Sequence, residues 1–160
     1  MLKTLLLKLN RYYLMKYKQS VLIKNVDIKT AKTVFSDDRF INYLIALQPV
    51  KIIKWDGVFN GAKAHMRFWF FGWRDFKVLH RNNVEESDLF SFEDFGLVLP
   101  FGLTEWVHQH KVIKDKNNIK IIDDLTFTFS NSITGLFFYP ILVFPIVIRK
   151  ILYKTYDWNR

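Results

Sequence analysis

From Leu136 to Ile148 the chain runs thirteen residues with no polar side-chain group except the Tyr139 hydroxyl, and two of the thirteen are proline. A bilayer crossing needs ~20 apolar residues, so a run of this length reads as a helix buried in a domain. A helix packed on one sheet normally shows an apolar stripe inward and polar residues outward. This one is apolar on every side. A sheet must grip one face, and something must cover the other: an N-terminal helix, a second copy of the chain, or a membrane surface. The helix is expected from about Ser132 to Tyr156. Pro140 and Pro145 lack a backbone donor and are expected to kink it or start its segments.

What precedes the helix reads as strands and turns. Gln19 to Val26 is a first strand, and Asp27 can cap a helix with its carboxylate. Two short helices follow near Ile28–Phe35 and Asp37–Leu47, closed by Pro49. Val50–Trp55, Ala62–Phe71, Arg74–Arg81, Asp88–Phe95, Leu103–Ile113 and Ile119–Ser130 read as strands, with turn signals at Asp56-Gly57, Asn60-Gly61, Gly72 and Lys114–Asn118. Hairpin-linked strands with helices at the ends of the order argue α+β. No repeat or linker divides the chain, so residues 1–160 are expected to form a single domain.

The formal net charge is +9, concentrated at the two ends. Lys3, Lys8, Arg11, Lys16, Lys18 and Lys24 precede any acid, and Arg149, Lys150, Lys154 and Arg160 face Asp157 alone at the other end. Leu2, Leu5, Leu6, Leu9 and Tyr13 recur at helical spacing, so residues 1–18 read as a basic amphipathic extension and 19–156 as the core. The extension can pack on the domain or lie on an anionic membrane surface. Lys3 and Lys8 interrupt the leucines, so no signal-peptide core is expected, and the reading is cytoplasmic or peripheral to the inner face of the membrane. With no cysteine, disulfides and thiolate metal sites are excluded. Basic residues do not interleave with aromatics on one surface, which argues against nucleic acid.

The segment Pro100-Phe101-x-x-x-x-Trp106-x-His108-x-His110 resembles a pattern in a bacterial subgroup of the START-like (SRPBCC) superfamily. There a Pro-aromatic pair leads into a strand ending Trp-x-His-x-His, followed by a hairpin and an Asp-x-x-x-aromatic strand, here Asp123 to Phe127. Val34-Phe35-Ser36-Asp37 resembles the subgroup's first-helix end, and Ile148-Arg149 matches its aromatic-Arg pair in the Arg. The resemblance spans roughly Ser20 to Tyr156. It implies a helix-grip fold: a curved antiparallel sheet of about 6–7 strands around the long C-terminal helix, with two short helices after the first strand. It also implies a cavity for a hydrophobic or amphipathic molecule. Most of the superfamily binds, carries or presents a ligand, and a minority catalyse cyclisation or hydrolysis.

The chain holds 16 Phe, 7 Tyr and 5 Trp, a ring content that suits a wide apolar pocket. Met66, Phe68 and Phe70 share one face of their strand and Arg67 the other. The expected cavity wall is Phe35, Met66, Phe68, Phe70, Trp106, His108 and Phe144. On the motif strand Thr104, Trp106, His108 and His110 are expected to point the same way. His108 and His110 are expected to hydrogen-bond across the hairpin to Asp123 and Asp124 as a structural polar pair, which would raise a histidine pKa. Two histidines two apart could start a metal site, but no third ligand is evident, and neither metal nor cofactor is expected. No serine elbow, Gly-rich phosphate loop or acid–base pair is legible, so the leading expectation is a non-catalytic carrier or sensor. The alternatives are a peripheral membrane or self-association module, and third a cyclase-like or hydrolase-like enzyme.

Overall fold

A computed structural model describes residues 12–158. All but the end of the expected Leu2–Tyr13 helix lies outside those residues, and Tyr13 already belongs to the first strand. The strand β1 runs Tyr13–Lys24, so it starts six residues before the Gln19 boundary read from sequence. Then come α1 (Ile28–Ser36), α2 (Asp38–Ile45), β2 (Val50–Trp55), β3 (Lys63–Trp69), β4 (Trp73–Glu85), β5 (Leu89–Val98), β6 (Leu103–Asp115), β7 (Asn118–Phe129), α3 (Ser132–Val147) and α4 (Arg149–Thr155).

The seven strands form one antiparallel sheet in the order β1-β7-β6-β5-β4-β3-β2. The first three helices start on a side-chain cap: Asp27 accepts from Thr30 N at 2.7 Å, Asp37 from Arg39 N at 2.9 Å and Asn131 from Thr134 N at 2.8 Å. Both prolines stay inside α3, and the helical run breaks one turn later, at Ile148. The Ile146 carbonyl at that break accepts from Gln19 Nε2 of β1 at 2.6 Å. Gly135 allows α3 to sit this close to the sheet, because a Cβ there would meet Met15 Cε at 2.7 Å and Phe129 Cδ2 at 3.1 Å.

Register irregularities shape the sheet. Between Leu103 and Glu105 the β6–β7 pairing slips. The extra residue turns Thr104 away from Trp106 and His108, and its hydroxyl lies 2.6 Å from that of Thr128. The expected alignment of Thr104 with Trp106 and the histidines therefore fails at a bulge, while Trp106, His108 and His110 do share the buried face.

That concave face carries two apolar clusters. One gathers Phe35, Phe40, Phe90, Phe92, Ile121, Tyr153 and Trp158 around α1 and α2. The other gathers Phe76, Trp106, Leu125, Phe127, Leu142 and Ile146 under α3. Adjoining strands β5, β6 and β7 carry polar inward residues at the boundary of the clusters: Asp94 beyond Phe92 on β5, His108 and His110 between Val112 and Trp106 on β6, Asp123 between Ile121 and Leu125 on β7.

Candidate functional site: an apolar cavity with a polar floor

The first cluster is closely packed apart from a void of about 40 Å³ beside Phe35, Phe40 and Phe92, and the second borders a much larger space. A cavity of about 480 Å³ lies between the sheet, the end of α2 and α3. Its walls are mainly aromatic and aliphatic: Met66, Phe68, Phe70, Phe101, Trp106 and Phe144 from β3, the β3–β4 turn, the Pro100 turn, β6 and α3. A larger groove of about 700 Å³ runs along the edge of β1 beside α4, and its lining is more polar, with Lys24, Lys150, Lys154 and Asp157. The more apolar space is the stronger candidate for a small-molecule site.

Six of the seven expected wall residues surround this cavity, namely Met66, Phe68, Phe70, Trp106, His108 and Phe144. Phe35 does not. It is buried in the first cluster, edge-on to Phe40 at 5.0 Å and Phe90 at 6.0 Å. A position near the end of the first helix says that Phe35 points at the sheet, but not on which side of the polar layer it lands. Phe101 stacks on Phe138 at 4.7 Å and contacts Phe70 at 5.5 Å, so the motif's Pro-aromatic turn closes one end of the cavity. Arg67 faces outward and pairs with Asp75 at 2.8 Å.

The floor is the polar layer. Asp123 Oδ1 lies 3.2 Å from His108 Nε2, 3.1 Å from His110 Nδ1 and 3.2 Å from the Tyr153 hydroxyl, while its Oδ2 accepts from Gln19 Nε2 at 2.9 Å. Asp94 Oδ2 lies 3.2 Å from His110 Nε2, and its Oδ1 lies 3.1 Å from His80 Nε2. His80 is in turn 2.5 Å from the Gly57 carbonyl through Nδ1. Arg149 Nη1 stands 4.0 Å from Asp123. Asp124 is not in this group. It faces the other side of the sheet, where Lys18 pairs with it at 2.7 Å, because adjacent strand residues point to opposite faces.

The cross-strand pairing is therefore broader than the sequence suggested. Residue type alone gives neither Asp94 nor His80 a partner. The available signal is alternation: Phe90, Phe92 and Asp94 are inward on β5, so the acid sits on a buried face and must find partners. Gln19, Tyr153 and Arg149 carry no comparable signal, since their partners come from strands more than 100 or 25 residues away.

The charges follow from the packing. His110 has a carboxylate oxygen near each ring nitrogen, hydrogen-bonded to Nε2 and at 3.1 Å without hydrogen-bond alignment from Nδ1, and both carboxylates favour the charged ring. Burial opposes that charge, but Asp94 and then Asp123 outweigh it and raise the His110 pKa. Burial, and after it the charge of His110, push the neighbouring His108 down to about 4. Despite burial, Asp94 is held well below the usual carboxylate range by His110, and Asp123 by His108 and His110. Burial drives the Tyr153 hydroxyl upward, so it stays a donor. The expected rise thus occurs at one histidine only.

Asp94, His108 and His110 each bring one potential ligand atom within 4.8 Å of the others. Asp94 is the third ligand type that the sequence did not reveal. In the present arrangement His110 commits Nε2 to Asp94 and stands with Nδ1 beside Asp123, and the group is coherent as a buried charge network.

No protein-family model matches the chain, and no curated protein matches it in sequence. Solved structures do. Truncated norcoclaurine synthase from Thalictrum flavum is similar with a TM-score of 0.63 at 15% identity, over 88% of this chain and 91% of that one. A protein of unknown function from Staphylococcus aureus has a TM-score of 0.63 at 6% identity, over 89% and 93%. The Zhui aromatase/cyclase from Streptomyces sp. R1128 has a TM-score of 0.60 at 10% identity, over 88% and 91%. At such identities the likeness speaks for the fold alone. With the curved seven-stranded antiparallel sheet, the two short helices after β1 and the long C-terminal helix, it establishes that this chain has the helix-grip fold of START-like (SRPBCC) proteins.

Proposed function

We propose that the protein binds a hydrophobic or amphipathic small molecule in the cavity between sheet and α3, as a carrier or sensor. One observation carries this reading: a cleft of about 480 Å³ whose lining is mainly aromatic and aliphatic, with ionisable groups (Asp94, His108, Arg149) only at the floor. Such a space suits a ligand of drug or lipid-fragment size. Its lining includes no serine, threonine, cysteine, lysine or tyrosine, which favours binding over nucleophilic catalysis. The same fold in norcoclaurine synthase has been solved with dopamine and hydroxybenzaldehyde, so the architecture accommodates small aromatic molecules in that protein. The test is native mass spectrometry of protein purified from cell lysate, together with uptake of the fluorescent reporter aminoanthracene. A co-purifying mass or saturable uptake supports the reading. An unliganded mass with no uptake sinks it.

A second reading concerns the outer face of α3. Ile133, Leu136, Phe137 and Phe144 are exposed there, and beside them stand Trp69, Phe71 and Trp73 of the β3–β4 hairpin tip. Phe70 joins the two, contacting Phe71 at 5.0 Å and Phe137 at 6.4 Å. A contiguous apolar patch of this kind marks an interaction surface. Trp69 and Phe144 also line the cavity, so the patch surrounds its mouth. An anionic membrane fits the patch through Lys51, which lies over the Trp73 ring, and Arg74 beside it in sequence. Ser132–Thr155 is long and apolar enough to cross a bilayer by composition, but its inner side is committed to the sheet through Leu142, Ile146 and Tyr153. Lying on the surface is the geometry this favours.

A further inference from the structure

We propose that the outer edge of β1 is a docking site for an acidic, extended segment of another protein, which adds a further strand to the sheet. β1 ends the sheet and pairs with β7 on its inner side. The direction of its remaining backbone groups follows from the register. The turn Lys116-Asn117 closes the β6–β7 hairpin, so Asn118 exchanges its backbone bonds with Asp115. Backbone direction alternates along a strand, so even-numbered β7 residues bond β6 and odd-numbered ones bond β1. The β1–β7 register is unbroken and pairs odd with odd, as in Val21 with Ile121. The even-numbered residues of β1 therefore turn N–H and C=O outward. Lys16 agrees, because its carbonyl accepts from the Tyr139 hydroxyl of α3 at 3.1 Å. Past that contact, the outward groups of Lys18, Ser20, Leu22 and Lys24 have no protein partner among the described residues. They form a pairing edge that an extended peptide can complete.

The chemistry of the partner comes from the groove beside this edge. Its volume is about 700 Å³, and it runs from Ser20 to Val26 of the chain and across to Lys150, Lys154 and Trp158. Lys24, Lys150 and Lys154 are exposed, none is ion-paired among the described residues, and Asp157 is the one acid in the lining. Lys150 and Lys154 stand one turn apart on α4, so they face the same side. Main-chain bonds to β1 supply affinity, and carboxylates on the α4 side of the incoming strand meet these two lysines. A second copy of the chain fits less well. Lys16, Lys18 and Lys24 lie on the exposed face of β1, the placement by which an edge strand resists pairing with itself. An antiparallel copy centred on Val21 sets Lys18 against the other copy's Lys24, a like-charge pair. The segment before β1 carries Lys3, Lys8 and Arg11 and no acid, so its charge does not match the groove either.

The probe is a fluorescein-labelled heptapeptide, Glu-Val-Glu-Val-Glu-Val-Glu, titrated against the full chain by fluorescence polarisation at low salt. Amide hydrogen exchange is then followed residue by residue by NMR. Binding is expected, with slowed exchange at Lys18, Ser20, Leu22 and Lys24 and no change at the odd-numbered amides already in the ladder. Glu-Val-Glu-Pro-Glu-Val-Glu keeps the charge, but its proline removes a ladder donor, so it should bind about tenfold more weakly. Lys150→Glu with Lys154→Glu, both at exposed positions, should lose the acidic peptide and take up Lys-Val-Lys-Val-Lys-Val-Lys instead. Equal binding of the proline peptide overturns the proposal, since charge alone then suffices. Absence of binding by the first peptide overturns it as well, as do even-numbered amides that exchange slowly with no peptide present. Slowing that grows with protein concentration alone assigns the edge to a second copy. Slowing by phosphatidylglycerol vesicles and not by peptide assigns it to lipid, and either result replaces the acidic partner.

Discussion

The Asp94 carboxylate lies 3.2 Å from Nε2 of His110, across β5 and β6, with both side chains on the buried face of the sheet. Through its other nitrogen the same ring reaches Asp123, and Asp123 is joined by the Tyr153 hydroxyl of the last helix. The sheet and α4 thus share one charge network. Breaking a buried pair by removing one partner is far costlier than breaking an exposed one, because the remaining charge stays buried. Asp123→Asn should cost about 3–5 kcal/mol in urea unfolding. Asp124→Asn, next in sequence but paired with an exposed Lys18, should cost less than about 1 kcal/mol. Equal costs would remove the network from any role in stability.

The same groups set the pH dependence. His108 is pushed down to about 4 from 6.5, so between those values the unfolded chain binds a proton that the folded one does not. Stability therefore rises with pH across that window, by about 3 kcal/mol from this residue. His110 is raised above 6.5, so its contribution is present below 6.5 and is lost as pH rises through the folded value. Asp94 and Asp123 are depressed below 3.8, and what they contribute is present above 3.8 and lost in stronger acid. Urea midpoints measured against pH should peak near 6.5 and fall on both sides. His108→Gln should flatten the acid flank and leave the alkaline one. A variant that flattens the alkaline flank instead would reverse the assignment of the two rings.

Phe35 and Met66 separate packing from binding. Phe35 packs in the first cluster beside a void of about 40 Å³, so Phe35→Ala enlarges that void and should destabilise by about 3–5 kcal/mol. Aminoanthracene affinity of the folded fraction should stay the same. Met66 borders the empty space, so Met66→Trp can extend into it. That variant should keep its unfolding midpoint within about 1 kcal/mol of the parent and lose reporter uptake. Uptake that survives Met66→Trp places the reporter elsewhere, the β1 groove being the alternative.

Periodicity made most of the sheet legible. The boundaries of β2 match the structure, and the long β6–β7 hairpin was placed by its turn at Lys114–Asn118. The alternation of Met66, Phe68 and Phe70 placed one wall of the cavity before any fold was in hand. What escaped has a physical pattern. Thr104 was misaimed by a bulge, which leaves no mark in residue type. Asp124 was taken with Asp123 because both sit opposite the histidine strand, and only the parity of the register separates them. Arg149 read as part of a basic end that could meet lipid, yet the break at Ile148 lets the last helix turn it inward beside Asp123. Long-range partners of this kind depend on how a helix lands on a sheet, which the local sequence does not encode.

The outer face of α3 supplies the last prediction. Phe71 is 84% exposed at the hairpin tip and Leu136 is 75% exposed on the helix, and Lys51 lies over the Trp73 ring of the same hairpin at 4.3 Å. Neither apolar side chain belongs to the buried clusters, so Phe71→Ser with Leu136→Ser should shift stability by no more than about 0.5 kcal/mol per site. If the face rests on a membrane, the pair should lose most co-sedimentation with vesicles containing anionic lipid. The parent should bind such vesicles more weakly as salt rises, since exposed charges are screened within ~10 Å at moderate ionic strength. Reporter uptake in free solution should be unchanged, because the cavity walls are intact. A parent that ignores vesicles but sediments as a concentration-dependent dimer, with the double variant monomeric, would assign the face to a second copy of the chain.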